Sequence, residues 1–91
     1  MSTPEDVNRQ TQRELYGEPV ADIVGRIMSS LGLTQLRLAE VLGLSAPMLS
    51  QLIGARRVKI GNPAVLGRLQ SLTDLAAVGP GLTADEKERR L

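Results

Sequence analysis

The most restrictive feature of the sequence is the run of residues 35–54, in which two short apolar-patterned segments are separated by a single short turn. The first segment carries Leu38 and Leu42 and the second carries Leu49 and Leu52, at spacings of three and four that are typical of amphipathic helices. Two short helices joined by so tight a turn must meet at a steep angle. This geometry restricts several positions at once.

The residues at those positions fit such a crossing. Ala39 is small where the second helix passes over the first, and Leu44 is an apolar residue that can fill the corner. Gly43 tolerates the positive φ that the turn needs. Thr34 and Ser45 are good N-caps for the two helices. No insertion interrupts the pattern, so the run predicts two helices joined at a corner.

The rest of the chain is also patterned for short helices, and no strand pattern competes. Apolar residues recur at helical spacing over 20–31 and again over 65–76, where Asn62-Pro63 is a strong start signal. Gly79-Pro80-Gly81 breaks this second stretch, and Thr83-Ala84-Asp85-Glu86 has the spacing of a capping box. We therefore expect an all-α protein with four to five short helices around one aliphatic core.

Three regions follow from this pattern. Residues 1–17 have little apolar periodicity and contain Pro4 and Gly17, so we expect a flexible arm or one loosely held helix there. Residues 18–78 form the helical domain. Residues 79–91 are expected to form a loop and a short charged C-terminal helix.

Composition excludes several classes of function. The chain has no cysteine and no histidine, which removes thiolate metal sites and the commonest general base and metal ligand. Its carboxylates form no evident catalytic pair. We therefore expect no enzymatic activity, no cofactor and no bound metal. Tyr16 is the only aromatic residue, so no stacking platform for single-stranded nucleic acid is expected.

The sequence carries no sign of a membrane or of secretion. No apolar run approaches the roughly 18 residues that are needed to span a bilayer. Residues 1–15 are polar and lack the apolar region of a secretory signal. We therefore expect a cytoplasmic protein that does not contact a membrane.

The net charge of +1 is unevenly distributed. The segment from Arg26 to Arg68, which we call the middle segment, contains six basic residues and a single acid, Glu40. The two ends of the chain together hold five basic residues and nine acids. A basic middle between acidic ends is typical of a surface that faces a polyanion. A solvated charged face is the alternative that charge alone leaves open.

Taken together, these residues resemble the helix-turn-helix of the phage repressor, Cro and xenobiotic-response-element family. The residues that carry the resemblance are Leu33-Thr34-Gln35, Leu38-Ala39, Gly43-Leu44-Ser45, Leu49-Ser50-Gln51-Leu52 and Gly54. With the helices on either side, the resemblance extends over about residues 19–78. It implies a lambda-repressor-like fold and a transcriptional regulator that binds double-stranded DNA, with the second helix of the motif in the major groove.

The resemblance also implies roles for individual residues. Gln35 matches the phosphate contact of the family, and Gln51 has the side-chain amide that can pair with adenine. The exposed positions of the recognition helix are Ser45, Ala46, Pro47, Ser50, Gln51 and, just past its end, Arg56. The residues that flank the groove and neutralise phosphates are Arg37, Arg56, Arg57 and Lys59.

Two departures from the family pattern affect these roles. Ala46 and Pro47 stand where relatives have long polar side chains, so base readout is expected to be sparse, with DNA shape or the following arginines more important. Arg37 stands where relatives often have glutamate, near a helix N-terminus that disfavours a cation. Two interpretations of this arginine are open: it contacts a phosphate, or it is an ordinary exposed residue. The apolar start of the recognition helix also leaves open a second function, that of a protein–protein adaptor that uses this face to bind a protein partner.

A homodimer is the expected assembly. A domain of this size buries a modest share of its surface, and an interface adds stability. Helices that follow the motif often form the dimer contact in the family. We expect Val65, Leu69 and Leu72 in the core, whereas Leu75 and Val78 fit either the core or an interface.

Overall fold

The structure, a computed structural model, describes residues 2–91. The described residues form six α-helices and one short 3₁₀ turn, without a strand. The helices are α1 (Pro4–Tyr16), α2 (Val20–Leu31), α3 (Gln35–Leu42), α4 (Ala46–Ile53), α5 (Pro63–Val78) and α6 (Ala84–Arg90), with the 3₁₀ turn at Gly79–Gly81. The expected all-α class is confirmed. The expected count of four to five helices is wrong, because six form.

The additional helix is α1, in the segment for which we expected a flexible arm or one loosely held helix. The Thr3 hydroxyl accepts a hydrogen bond from the Asp6 amide at 3.1 Å, and the Asp6 carboxylate accepts one from the Thr3 amide at 3.2 Å. These bonds to Thr3 lower the pKa of the Asp6 carboxyl. Gly17 ends the helix in the left-handed conformation. Capping chemistry therefore specifies α1, and apolar periodicity does not reveal it because few of its residues are apolar.

The boundaries of the other helices follow the predicted signals. The side chains of Thr34, Ser45 and Asn62 each accept a hydrogen bond from a backbone amide in the first turn of α3, α4 and α5. Thr83 and Glu86 form the predicted capping box at the start of α6. These interactions satisfy amide groups that have no partner within the helix.

The core lies between α2, α3, α4 and α5, with α2 packed along α5. Its buried residues are Val20, Ile23, Val24, Ile27, Leu31, Leu38, Ala39, Leu42, Leu49, Leu52, Val65, Leu69 and Leu72. The prediction that Val65, Leu69 and Leu72 belong to the core is confirmed. Leu75 is half-buried and Val78 is exposed, so an interface role for them stays a prediction.

The corner between α3 and α4 changes the chain direction by 108°. The amides of Gly43 and Leu44 both donate to the carbonyl of Ala39, at 3.0 and 2.9 Å, which closes the turn. Gly43 has φ +81°, and a Cβ placed there would lie 2.8 Å from Nη1 of Arg68. That guanidinium donates to the carbonyl of Leu42 at 3.2 Å. Position 43 is therefore restricted both by its backbone conformation and by the arginine that lies over it.

Gly43→Val is expected to lower the free energy of unfolding by about 1–3 kcal/mol, because a β-branched residue is strained at positive φ and must also displace Arg68. Urea denaturation followed by circular dichroism measures this change. Gly61→Val is the matched control, since Gly61 has open space around its Cβ position and no positive φ. Equal stability of the two variants would contradict the placement of Gly43.

Candidate nucleic-acid interface

The outer face of α4 carries the residues predicted to read bases. Leu49 and Leu52 point inward and are each 1% exposed, which fixes the rotation of this helix. The predicted reading residues are consequently on the solvent side: Ser45, Ala46, Pro47 and Gln51 are exposed, and Ser50 is half-buried. Gln51 is the one long polar side chain among them. It makes no side-chain hydrogen bond within residues 2–91, so its amide is available to a ligand.

The starts of α3 and α4 are both capped. The Ser45 hydroxyl oxygen accepts a hydrogen bond from the Met48 amide at 3.2 Å, and the hydroxyl keeps its own hydrogen to donate. Thr34 caps α3 in the same way through the amide of Arg37, at 3.1 Å. Gln35 is the first residue of α3 and is half-buried. The predicted phosphate contact thus lies at a helix start, where free amides favour an anion.

A short basic stretch, residues 55–60, follows α4 after Gly54, and we call it the basic loop. The amides of Arg56 and Arg57 both donate to the carbonyl of Gln51, at 2.9 and 3.1 Å. The loop therefore folds back against the last turn of α4. This brings Arg56 and Arg57, both exposed, next to Gln51.

Helix α1 holds the basic loop from the other side through three side chains. Asn8 Nδ2 donates to the carbonyl of Ala55 at 2.7 Å, and Gln12 Nε2 donates to the carbonyl of Arg57 at 3.1 Å. The Tyr16 hydroxyl oxygen accepts a hydrogen bond from the amide of Ile60 at 3.0 Å. None of these three contacts was predicted from the sequence. The available signal was a polar, hydrogen-bonding residue at every fourth position of one helix face.

Gln12 is also a structural junction. Its side chain is 1% exposed, and its Nε2 donates to the carbonyl of Leu52 at 3.2 Å as well as to that of Arg57. Its Oε1 accepts a hydrogen bond from the amide of Val20 at 3.1 Å. One buried amide therefore connects α1 to the start of α2, the end of α4 and the basic loop.

Arg37 is engaged elsewhere in the molecule. Its Nη2 donates to the carboxylate of Glu88 on α6 at 2.9 Å, and its Nη1 lies 3.4 Å from that of Glu40. The hydrogen bond that Arg37 donates to Glu88 is the main reason why the pKa of Arg37 is raised. These groups are exposed, so the pair contributes little to stability. It nevertheless provides a reason for a cation in the first turn of α3 that does not require a phosphate.

The remaining cations of the middle segment divide into two groups. Arg26 forms two hydrogen bonds with Glu18, which lower the pKa of that carboxyl, and Arg68 donates to the carbonyl of Leu42. Arg56, Arg57 and Lys59 have no carboxylate within salt-bridge distance among residues 2–91. The cations of the middle segment that have neither a carboxylate nor a carbonyl partner in the described chain are therefore those of the basic loop.

Two further observations concern the described part of the chain. Within residues 2–91, no group of three histidine, cysteine, aspartate or glutamate side chains is placed to hold a metal ion. No single helix there is both long and apolar enough to cross a membrane, and α3 and α4 reach the required length and composition only when counted together across their bend.

Comparison of the chain with protein-family models, with curated proteins and with solved structures finds no match.

Gln12→Met keeps the shape of the side chain but removes the hydrogen-bond partner of the Val20 amide and of the Arg57 carbonyl, whereas the Leu52 carbonyl keeps the Ala55 amide as its partner. Because each unsatisfied buried group is costly, we expect the free energy of unfolding to fall by about 2–4 kcal/mol. Urea denaturation is the measurement. Gln10→Met, on the exposed part of the same helix, is the control and is expected to change stability little. A Gln12→Met protein as stable as the control would show that the buried amide does not hold α1.

Proposed function

We propose that the protein binds double-stranded DNA, with α3 and α4 acting as a helix-turn-helix of the phage repressor, Cro and xenobiotic-response-element kind. The observation that carries the proposal is the position of three uncompensated cations, those of the basic loop, beside the free amide of Gln51 on the outer face of α4. Cations without carboxylate partners favour a polyanion, and an exposed amide can pair with a base edge.

The shape of the α3–α4 pair supports the same proposal. The 108° change of direction lies in the range of about 90–120° that is typical of helix-turn-helix pairs. An eight-residue helix such as α4 is about 12 Å long, and the major groove of B-DNA is about 12 Å wide. In this arrangement α4 enters the groove and α3 crosses the backbone.

The proposed roles divide between α4, α3 and the basic loop. Gln51 reads a base, Ser45 and Ser50 donate to a base or a phosphate, and Ala46 and Pro47 contact thymine methyl groups. Gln35 contacts a phosphate. Arg56, Arg57 and Lys59 neutralise phosphates beside the groove. Arg37 joins them only if a phosphate replaces Glu88 as its partner. We further propose that the protein acts as a homodimeric, cytoplasmic transcriptional regulator without enzymatic activity.

One observation favours a second candidate function, a protein–protein adaptor. Leu36 on α3 is 62% exposed, and the neighbouring helix begins with the uncharged Ala46 and Pro47. Apolar side chains on this surface suit a protein partner as well as thymine methyl groups. The two functions differ in salt dependence, because phosphate binding releases counterions and apolar contact does not.

The first test is fluorescence anisotropy with a random-sequence duplex at about 50 and 200 mM salt. For one bound chain, three phosphate contacts predict a salt slope of about −2.7, which is roughly a 40-fold loss of affinity between the two conditions. Absence of binding at micromolar protein and low salt would overturn the proposal and favour the adaptor function.

Arg57→Ala is expected to weaken binding to all duplexes equally and to reduce the magnitude of the salt slope by about 0.9, because one phosphate contact is lost. Arg26→Ala is the control. It removes the same charge at a residue that is paired with Glu18 on another part of the surface. The slope is measured by anisotropy over a salt series. Equal slopes for the two variants would contradict a phosphate contact by Arg57.

Gln51→Ala is expected to relax preference at one base pair, at a cost of about 1–3 kcal/mol for the preferred site. Selection of sites from a random pool, followed by competition binding, measures this change. Gln10→Ala is the control, because it removes an exposed side-chain amide from α1, outside the proposed binding surface. If the affinity for every site is the same with and without Gln51, direct readout by this residue is wrong.

A further inference from the structure

We propose that α1 is a positioning element, which holds the backbone of the basic loop so that its cations are ordered before a phosphate arrives. The inference rests on the proposed function and adds to it a role for Asn8, Gln12 and Tyr16, whose side chains bond to the backbone of the basic loop. Helix α1 lies outside the stretch, residues 19–78, that resembles the helix-turn-helix family.

The three side chains form hydrogen bonds with the loop at its first residue, its middle and its last residue. Their partners are the carbonyl of Ala55, the carbonyl of Arg57 and the amide of Ile60. All three partners are backbone atoms. The side chains of Arg56, Arg57 and Lys59 therefore remain exposed and unengaged while the chain that carries them is held.

The conformation of Ala55 belongs to the cap at the end of α4, where the amides of Ala55 and Arg56 donate to the carbonyls of Leu52 and Gln51. Ala55 has φ +57°, the only positive φ at a residue other than glycine within residues 2–91, and it is fully buried. A left-handed alanine persists only where the surrounding structure fixes it. The hydrogen bond from Asn8 to the Ala55 carbonyl, at 2.7 Å, fixes the peptide unit that leaves this residue.

Gln12 ties the loop to the proposed recognition helix. The same Nε2 donates to the carbonyl of Leu52 in α4 and to that of Arg57 in the loop. The side-chain amide thereby adds a second link between the end of α4 and the backbone of Arg57, beside the hydrogen bond from the Arg57 amide to the Gln51 carbonyl. This arrangement keeps the cations in a constant position relative to Gln51.

Such positioning predicts a distinct binding signature. A cation that is already ordered loses less conformational entropy on binding than one on a mobile loop. If α1 releases the loop, the bound state still makes the same phosphate contacts, so the affinity falls while the salt slope stays constant. Removal of a cation, in contrast, changes the slope.

The test uses Asn8→Ala, Tyr16→Phe and the double variant in the full chain, with Gln10→Ala as the control on the exposed part of α1. These changes avoid the buried Gln12, and Tyr16→Phe removes only the hydroxyl group that accepts from Ile60. We expect amide exchange at Ile60, measured by NMR, to rise about tenfold in both variants that lack the hydroxyl. We expect the double variant to bind the random-sequence duplex about 3–10-fold more weakly, with a salt slope within about 0.3 of the parent value.

Parental exchange at Ile60 in the double variant would overturn the claim that α1 holds the loop. Faster exchange combined with parental affinity would show that α1 orders the loop without affecting binding, and would also overturn the inference. Failure of the proposed function gives a different result: the parent protein itself binds no duplex at either salt concentration.

Discussion

The arrangement of the proposed binding surface depends on one buried side-chain amide, that of Gln12. It satisfies the first amide of α2, a carbonyl in the last turn of α4 and a carbonyl in the basic loop. A buried polar group without a partner is costly, so none of these segments can move away without leaving an unsatisfied atom. The aliphatic core fixes how α2 and α4 pack against each other. The amide adds α1 and the loop to that framework.

The distribution of charge in three dimensions differs from its distribution along the chain. In the sequence, the six cations of the middle segment form one basic region. In the structure, Arg26 and Arg37 have carboxylate partners and Arg68 donates to the backbone at the end of α3. Among these six, only the three cations of the basic loop have neither a carboxylate nor a carbonyl partner within residues 2–91. The proposed attraction for a polyanion is therefore assigned to the end of α4, although the net charge of the chain is close to zero.

Much of the fold could be predicted because its determinants are local. An N-cap such as Thr34 or Ser45 bonds to an amide three residues away, and the apolar spacing of α2 and α5 identifies most of the core. The contacts that shape the candidate site were not predicted because they join residues 44–47 positions apart, such as Asn8 with Ala55 and Tyr16 with Ile60. The pairing of Arg37 with Glu88 spans 51 positions. Neither spacing nor capping indicates which distant polar groups will meet.

The polar character of α1 is explained by what it contacts. A loop that turns sharply exposes carbonyl and amide groups, and an apolar helix face cannot satisfy them. A face with Asn8, Gln12 and Tyr16 can, because each of these side chains supplies the donor or acceptor that one backbone group lacks. Helix α1 needs polar side chains to bond to the loop backbone, and these side chains lower the apolar periodicity by which a helix is predicted from sequence. Because α1 bonds only to backbone atoms of the loop, this contact does not restrict the loop side chains, which can be arginine and lysine.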